Sequence, residues 1–541
     1  MSRASIVSLP APIDHLVSST YHTPNGPLHL GHISGPLLNA DVVARHLEML
    51  GHRVRRVSTT DARESYVLLA ARQQGTAPER IAAFYHDLAA ETLTGLDMPQ
   101  DSFFNTHAPD RALRYAESSH RIARFLERRG RIQYSRARYA RGAATGQFLV
   151  GGFVLGNCPR CAADAAGACC EECGLWFDVT QLVNPRPRLA EDGELTWAKT
   201  GAATLDAGDV FTMDNIATRF PAAYHHLYLD YVRWNGTRLP LTHPLGWGVP
   251  WQVGDLGDAV VHNSYAIGAH VSMNAVAEEF RRISGLPDPF SQHSPVVKIT
   301  TGGYDAVLPW MFHIALMDKE SDWEPFDHHI ITRYMLLDGE KFSTSRRHAI
   351  WAHDYVRSGL SVDALRMYLA TISPSSSDSD LRLSDLLRYV RETLESVVEK
   401  RTREAAARLA TSSGLLPLSA AGAAAVRRLV VPFNDSLAPG SFDLAVAAKL
   451  VHEWCTTGGD GLADREPYWW CKVTSLLTYP IMPRWARVLW AWLGHEAEPS
   501  FVQLEGLPAK VPTGSPRLPA LSLDPVKVAA LARPDEFVGP R

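Results

Sequence analysis

The sequence lacks the features that would place this chain in a membrane or outside the cell. None of its apolar runs reaches about 18 residues, the length that crosses a bilayer. Its first residues show no basic segment followed by an apolar stretch, so we expect a cytoplasmic protein without a membrane partner. Hydrophobic residues make up 46% and charged residues 21% of the 541 positions, as in globular proteins. The length exceeds what one core supports, so we expect roughly two to four domains.

A large excess of charge is also missing. The formal net charge is −4 and the pI is about 6.6, which disfavours a protein that binds nucleic acid by charge alone. Cysteine is scarce, since the chain has seven, and five of these lie within 158–173. One tight cluster in a long chain indicates a metal site rather than a disulfide scaffold.

The cysteine cluster contains two C-x-x-C pairs, Cys158 with Cys161 and Cys170 with Cys173. Four thiolates around Zn²⁺ form a closed structural site, which leaves no open position for catalysis. The sequence therefore predicts one structural zinc ion. Cys169 is an alternative ligand, and a set of free thiols is the alternative explanation of the cluster.

The beginning of the chain follows a strand–helix–strand pattern. Residues 13–20 predict a buried strand, 30–50 an amphipathic helix and 53–59 the next strand. This order predicts a doubly wound α/β domain, which binds ligands at the carboxyl ends of its strands. From about 379 to 495 nearly every segment has helical spacing, with a loop near 456–466.

The first chemical signal is the segment HLGH at His29 to His32, which follows the first strand and opens the helix. Two imidazoles three positions apart share one face of a helix start, where the first backbone N–H groups have no partner within the helix. Such a terminus binds phosphate, and Gly31 lets a ligand approach the backbone closely. Two of the 22 histidines, one of them capping the helix, are the alternative explanation of this segment alone.

The second signal is the pentapeptide KFSTS, which starts at Lys341 and follows an Asp-Gly turn at 338–339. This loop follows a glycine and carries a lysine with neighbouring hydroxyls. Such a loop can move and bind pyrophosphate as a clamp. A solvated loop without function is the simpler explanation of this pentapeptide alone.

In this order and about 310 positions apart, the two signals resemble the HIGH and KMSKS motifs of class I aminoacyl-tRNA synthetases. The surrounding segments YHTPNGPLHLGHISGPLLNADVVARHLEMLGHRV and DGEKFSTSRRHAIWAHDYVRSGLSVDALRMYLA are similar to those of the methionyl-tRNA synthetases. The resemblance covers residues 13 to about 490. It implies an α/β fold with a doubly wound, Rossmann-like (HUP) parallel-sheet catalytic domain, a zinc-knuckle connective insertion and a following α-helical bundle.

The resemblance also implies an order of regions along the chain. In that order they are the first half of the catalytic domain with HLGH (1–114), the connective insertion (115–225), the second half of the catalytic domain (226–330), the KFSTS loop with the stem-contact region (331–378), the anticodon-binding-like bundle (379–495) and a C-terminal tail (496–541).

The family activates an amino acid: its carboxylate attacks the α-phosphorus of ATP, which Mg²⁺ accompanies, and pyrophosphate leaves. By resemblance His29, His32 and Lys341 are catalytic, since they would contact the triphosphate and hold the departing pyrophosphate. The wider ATP site that the resemblance implies consists of Asn25, Gly26, His29, Gly31, His32, Lys341, Ser343 and Ser345. The family's second lysine is Thr344 here, so an arginine of 346–347 would have to replace it.

The amino-acid pocket departs from the family's pattern. Asp61 lies where the family has an aspartate that binds the α-ammonium group, so the substrate is expected to be an α-amino acid. The family encloses methionine with the Trp and Tyr of a V-W-L-D-A-P-I-G-Y segment, whereas His262 and Ala269 hold those positions here. Tyr21, in place of a small apolar residue, and Tyr265 complete the expected pocket. Polar groups that need partners make a poor slot for a thioether, so we expect an amino acid other than methionine.

The helical bundle departs from the pattern as well. The family reads its anticodon with an Asn and an Arg on the first helix of the bundle, and Glu399 and Arg403 hold those positions here. A carboxylate repels a phosphate-rich ligand. Trp469 and Trp470 could stack on a base, but we expect them in the core of the bundle.

These departures predict an ATP-dependent ligase that forms an aminoacyl adenylate and passes the amino acid to a small molecule rather than to tRNA. The precedent is the synthetase-like half of hydrazine synthetases, which esterifies an N-hydroxylated amine and is fused to a cupin. A separate cupin would then be a partner of this chain, which we expect to be a monomer. Two alternatives stay open: an authentic methionine–tRNA ligase with a divergent pocket, and an inactive sensor of ATP or amino acid. The presence of both motif histidines, Lys341 and Asp61 argues against the sensor.

Overall fold

A computed structural model describes residue 6, residues 9–261, 266–318, 322–342, 348–411, 417–508 and 514–532, and residue 539. The predicted site residues His262, Tyr265, Ser343 and Ser345 lie outside the described residues, as do Thr344 and the arginines at 346–347. Within the described residues, no helix combines the length and the apolar character that a membrane span requires.

Residues 14–332 are built around one parallel sheet. Its first elements are β1 (Asp14–Ser19), α1 (Leu30–His32), α2 (Leu38–Met49), β2 (Arg53–Thr60), α3 (Ser65–Gln74), α4 (Pro78–Gly95), β3 (Ser102–Asn105) and α5 (Pro109–Arg128). The helix predicted over 30–50 forms in two parts, because a π-helical turn over 33–37 contains Pro36, which has no amide hydrogen to donate.

An insertion follows α5 and contains two antiparallel sheets. Its elements are β4 (Ile132–Gly142), β5 (Phe148–Leu149), β6 (Val154–Asn157), β7 (Asp164–Ala166), β8 (Val183–Pro187), β9 (Leu195–Asp206), α6 (Met213–Ala217), α7 (His225–Asn235) and β10 (Arg238–Pro240). The long pair β4 and β9 forms the larger sheet, in the order β10-β9-β4-β5. The smaller sheet, β7-β6-β8, carries the cysteine pairs at its ends.

The chain then completes the parallel sheet. The elements are β11 (Thr242–His243), β12 (Val249–Gln252), β13 (Asp258–Val261), α8 (Ala266–Ser284), β14 (Val297–Gly303), α9 (Val307–Asp318) and β15 (His328–Thr332). The strand order is β15-β14-β1-β2-β3, and every neighbouring pair is parallel. The order reverses between β1 and β14 at the centre, and ligands of doubly wound sheets bind at the carboxyl ends of strands at such a point. The predicted doubly wound parallel sheet is confirmed.

A small sheet and a helical bundle complete the fold. The small sheet region has β16 (Met335–Leu337), β17 (Glu340–Lys341), α10 (Ala352–Arg357), α11 (Val362–Thr371) and β18 (Ser379–Leu381). The bundle and the tail have α12 (Leu383–Tyr389), a π-helical segment over 390–399, α13 (Lys400–Ala410), α14 (Ala420–Leu437), α15 (Leu444–Arg465), α16 (Pro467–Thr478), α17 (Pro483–Trp492) and α18 (Pro525–Ala530). Four consecutive left-handed residues interrupt α15 at 458–461, within the loop predicted near 456–466.

A buried ion-pair network joins α2, next to the parallel sheet, to the bundle. Asp41 on α2 accepts hydrogen bonds from Arg45 at 2.9 Å and from Arg366 on α11 at 2.6 Å. Arg366 also donates to the carbonyl oxygens of Pro480 and Ile481, between α16 and α17. Burial alone would raise the pKa of Asp41, but the two guanidinium groups outweigh it and hold this pKa below its usual range.

Candidate active site

The two histidines of HLGH cap the helix that follows β1. The side chain of His29 accepts from the His32 amide at 3.3 Å, and the side chain of His32 accepts from the His29 amide at the same distance. Their rings are stacked with centroids 3.7 Å apart. Both imidazoles therefore lie at a helix start beside the carboxyl end of the central strand, where we expect a phosphate-bearing ligand.

Both imidazoles are neutral in this environment. Burial lowers the pKa of His32 to about 4, and burial together with the neighbouring His32 holds the pKa of His29 well below its usual range. A neutral imidazole still donates one hydrogen bond from its N–H group. The pair can therefore contact phosphoryl oxygens without carrying a charge of its own.

The second motif packs directly on the first. The ring of Phe342 stacks on His29 with centroids 4.9 Å apart. A Cβ atom on Gly31 would lie 3.0 Å from Phe342 and 3.0 Å from His29. The small size of Gly31 thus accommodates the phenylalanine in this conformation. Phe342 was not among the predicted site residues, although an aromatic ring beside Lys341 was visible in the sequence.

The segment 350–352, after the second motif, forms backbone hydrogen bonds with the first motif and the residue before it. The amide of Leu30 donates to the carbonyl of Ile350 at 2.9 Å, and the amide of Ala352 donates to the carbonyl of Leu28 at 2.8 Å. The described residues on both sides of the KFSTS loop, Phe342 before it and 350–352 after it, therefore contact the HLGH segment.

Lys341 contacts the cysteine knuckle. Its ammonium group donates to the backbone carbonyl of Glu171, between Cys170 and Cys173, and lies 3.7 Å from the ring centroid of Tyr334. The lysine is thus placed at the carboxyl edge of the sheet, with the insertion on one side and the HLGH helix on the other.

The predicted amino-acid residues are only partly described. Tyr21 and Asp61 follow β1 and β2, and the carboxylate of Asp61 adds to the effect of burial in raising the pKa of the Tyr21 hydroxyl. The amide of Asp61 donates to the carbonyl of His22 at 3.0 Å, which fixes the chain at the ends of both strands. Ala269 lies in the first turn of α8, and its side chain is outside the described part of the structure.

The four predicted cysteines form one cluster. Their Sγ atoms all lie within 4.8 Å of one another, with Cys158 to Cys173 at 3.7 Å and Cys161 to Cys170 at 3.6 Å. Zn–S bonds of about 2.3 Å in a tetrahedron place sulfurs about 3.8 Å apart, so the residues fit zinc. Cys169, the alternative ligand, is not part of this cluster.

The bundle position expected to face an anticodon is covered. Glu399 is 6% exposed, and its carboxylate accepts from the amide of Leu521 at 2.8 Å and from Arg403 at 2.5 Å. Leu521 belongs to the C-terminal tail and is fully buried. Trp469 and Trp470 are 3% and 0% exposed, so their predicted place in the core is confirmed.

Comparison with known proteins agrees with this architecture. The profile of the family described as tRNA synthetases class I (M) matches residues 15–208 and 307–402, which together exceed half of the chain. A methionine–tRNA ligase of Chloroflexus aggregans is 28% identical over 403 residues, and the match covers 69% of this chain and 65% of that protein. One of Roseiflexus sp. is 26% identical over 482 residues, covering 84% and 80%.

A solved structure with the same fold is the methionyl-tRNA synthetase of Mycobacterium tuberculosis in complex with methionyl-adenylate. Its TM-score is 0.68 at 17% identity, and the match covers 94% of this chain and 99% of that one. The fold and the two motifs are of the class I synthetase type. The chain belongs to the family of class I tRNA synthetases (M), although it spans just under two thirds of the length of the Chloroflexus relative.

Proposed function

We propose that this protein activates an amino acid with ATP, as an aminoacyl adenylate, and transfers it to a small molecule. The observation that carries the first step is the contact between the two motifs. Phe342 stacks on His29, although about 310 positions separate HLGH from KFSTS along the chain. Two motifs with phosphate-binding chemistry that meet at the centre of a doubly wound sheet support one nucleotide site.

His29, His32 and Lys341 carry the chemistry of this step. The amino-acid carboxylate attacks the α-phosphorus, and negative charge grows on the phosphoryl oxygens. N–H donors held in place before the reaction stabilise that charge at little reorganisation cost. Lys341 would leave the Glu171 carbonyl to hold the departing pyrophosphate. ATP would bring Mg²⁺ with it, and Asp61 would bind the α-ammonium group of the substrate.

The experiment for this step is ATP–pyrophosphate exchange over a panel of the proteinogenic amino acids. We expect exchange with at least one α-amino acid other than methionine. The change of the expected pocket residues to His262 and Ala269 supports this choice of substrate. Exchange with methionine alone would contradict it, and no exchange with any amino acid would favour the sensor.

The proposed acceptor is a small molecule because the bundle offers a poor surface for an anticodon. Glu399 presents its carboxylate to the tail segment around Leu521 rather than to solvent. The net charge of −4 adds no general attraction for a polyanion. Charging and filter-binding assays with total tRNA test this point: we expect exchange activity without aminoacylation of tRNA.

The second candidate is a methionine–tRNA ligase, which the names of the matched relatives favour. Charging of tRNA with methionine, together with salt-sensitive tRNA binding, would establish that candidate instead. A hydrazine-forming reaction and a separate cupin partner belong to the first proposal. Coupled assays with N-hydroxylated amines as acceptors would test them.

A further inference from the structure

A cavity of about 360 Å³ lies between the insertion and the start of α3. Its wall is formed by the start of α3, the inner faces of β4 and β9, the cysteine knuckle and α7. Its volume is in the range of pockets that bind small molecules. Of the residues assigned above to ATP or to the amino acid, none that the structure describes lines it.

Two carboxylates and several aromatic rings define the chemistry of this cavity. The carboxylates are Glu64 and Asp178, of which Glu64 is 8% exposed and Asp178 is exposed. The aromatic side chains on the wall are Tyr66, Tyr139, Trp176, Phe177 and Tyr231. Carboxylates and aromatic faces are the groups that bind organic cations.

Glu64 differs from most other buried carboxylates of the described residues. Asp41, Asp192, Glu279 and Glu399 each lie within ion-pair distance of an arginine. Glu64 accepts from the amide and the hydroxyl of Ser65 at 2.7 and 2.9 Å. No ion pair to Glu64 is found among the described residues, and burial raises its pKa against these hydrogen bonds. A buried carboxylate without a cationic partner is costly unless a ligand supplies one.

The arginines of the cavity wall do not supply that partner. The guanidinium group of Arg138 lies over the ring of Trp197, 4.4 Å from its centroid. Arg238 is exposed, and its Nε lies 3.8 Å from Asp206. Both arginines are therefore engaged with residues other than Glu64 and Asp178.

The cavity adjoins the candidate active site at two points. Glu64 follows Asp61 by three positions at the carboxyl end of β2. Cys169 lines the cavity, and it lies two positions before Glu171, whose backbone carbonyl accepts a hydrogen bond from Lys341. A molecule in the cavity therefore lies next to both the expected amino-acid site and the lysine of the second motif.

We propose that this cavity binds the alkylammonium group of a small molecule, between the carboxylates of Glu64 and Asp178. The inference deepens the proposed function and rests on it for the role of that molecule, which is either the acceptor or the side chain of the activated amino acid. If the molecule is the acceptor, its ammonium group stays between the carboxylates. A different, nucleophilic nitrogen or oxygen atom of the same molecule attacks the carbonyl carbon of the adenylate. A bond from that atom to the carbonyl carbon forms, the bond from this carbon to the phosphate oxygen breaks, AMP leaves with the electron pair and the nucleophile's proton passes to solvent.

Isothermal titration calorimetry of the full chain tests the cavity independently of activity. The probes are pentane-1,5-diamine and its neutral counterpart pentane-1,5-diol. We expect the diamine to bind at least tenfold more tightly than the diol. Glu64→Gln and Asp178→Asn should each weaken diamine binding by roughly ten- to a hundredfold, since each removes one charge-assisted contact.

Asp209→Asn is the matched control, because Asp209 is 79% exposed on the insertion, pairs with Arg131 and does not line the cavity. It should bind the diamine like the parent. Circular dichroism shows whether each variant folds. If Glu64→Gln does not fold, Asp178→Asn still tests the cavity. Equal binding of diol and diamine, no binding of the diamine, or parental affinity in a folded cavity variant would overturn the proposal.

Two activity assays then distinguish the sources of the ammonium group. If lysine or ornithine supports pyrophosphate exchange and norleucine does not, the ammonium group belongs to the activated amino acid. If diamines stimulate AMP release only after another amino acid has been activated, the ammonium group belongs to the acceptor. Absence of exchange with every amino acid would contradict the proposed function, while the calorimetric result would still decide the cavity.

Discussion

The amide of Leu521 donates a 2.8 Å hydrogen bond to the carboxylate of Glu399, so the C-terminal tail lies on the first helical segment of the bundle. Leu521, Val528 and Leu531 pack into the same hydrophobic core as that segment. Lys527 adds a hydrogen bond to the carbonyl of Ser358 at 2.8 Å. Residues 521–531 of the tail therefore pack on the folded bundle.

Replacement of Glu399 should show the structural role of this carboxylate. Glu399→Ala leaves the Leu521 amide buried without its acceptor, so we expect the free energy of unfolding to fall by about 1–3 kcal/mol. Urea unfolding that fluorescence follows measures the change. Arg403→Ala is the control, because Arg403 is 69% exposed and should change stability by less than about 0.5 kcal/mol. Equal stability of Glu399→Ala and the parent would contradict this role.

Substitutions in the two motifs should reduce adenylate formation. His29→Ala, His32→Ala and Lys341→Ala should each lower the rate of pyrophosphate exchange by roughly a hundredfold or more, because each removes a donor that stabilises the transition state. Asp61→Ala should act mainly by raising the KM for the amino acid. His293→Ala, an exposed histidine outside the site, should exchange at the parental rate. Parental exchange by Lys341→Ala would show that the KFSTS lysine has no such role.

The cysteine cluster predicts one zinc ion per chain. Cys161→Ala removes one thiolate from a closed four-thiolate site, so we expect substoichiometric zinc in the purified protein. Cys169→Ala is the matched control, since this neighbouring thiol lies outside the cluster and its loss should leave one zinc per chain. Inductively coupled plasma mass spectrometry measures both. Full zinc in Cys161→Ala, or loss of zinc in Cys169→Ala, would contradict the ligand set.

Local patterns in the sequence predicted the features that local chemistry determines. The strand over 13–20, the helix start at His29 and the two C-x-x-C pairs all depend on neighbouring residues, and the structure shows them there. The contact between His29 and Phe342, and that between Glu399 and Leu521, join residues more than a hundred positions apart. Such contacts depend on tertiary packing, which periodicity does not report.

The cavity could not be predicted for the same reason. In the sequence, nothing distinguishes Glu64 from an ordinary residue before a helix. In the structure its carboxylate caps α3 by accepting from the Ser65 amide. No arginine among the described residues pairs with it, and this depends on the tertiary packing of the insertion over the carboxylate. Asp178 is more than a hundred positions away in the sequence. It lines the same cavity together with residues of β4 and β9 and of the segment around the cysteine knuckle.

Buried histidines predict that acid begins to destabilise the fold near pH 6.5, above the range in which carboxylates titrate. Burial lowers the pKa of His15, His46 and His243 to about 4 and that of His270 to about 3. An unfolded chain has histidine pKa values of about 6.5, so between pH 6.5 and 4 the unfolded state binds protons that the folded state does not. The free energy of unfolding therefore falls as the pH is lowered through this window, by up to about 1.4 kcal/mol per pH unit for each histidine.

Thermal unfolding between pH 7.5 and 5 measures this dependence, and we expect the melting temperature to start falling near pH 6.5. His46→Gln should make the fall less steep, because a glutamine amide can donate to Asn434 as the imidazole does at 3.1 Å but does not titrate. His293→Gln, a substitution of an exposed histidine outside the core, is the control and should keep the slope of the parent. A melting temperature that stays constant from pH 7 to pH 5 would show that these histidines take up their protons without opening the fold.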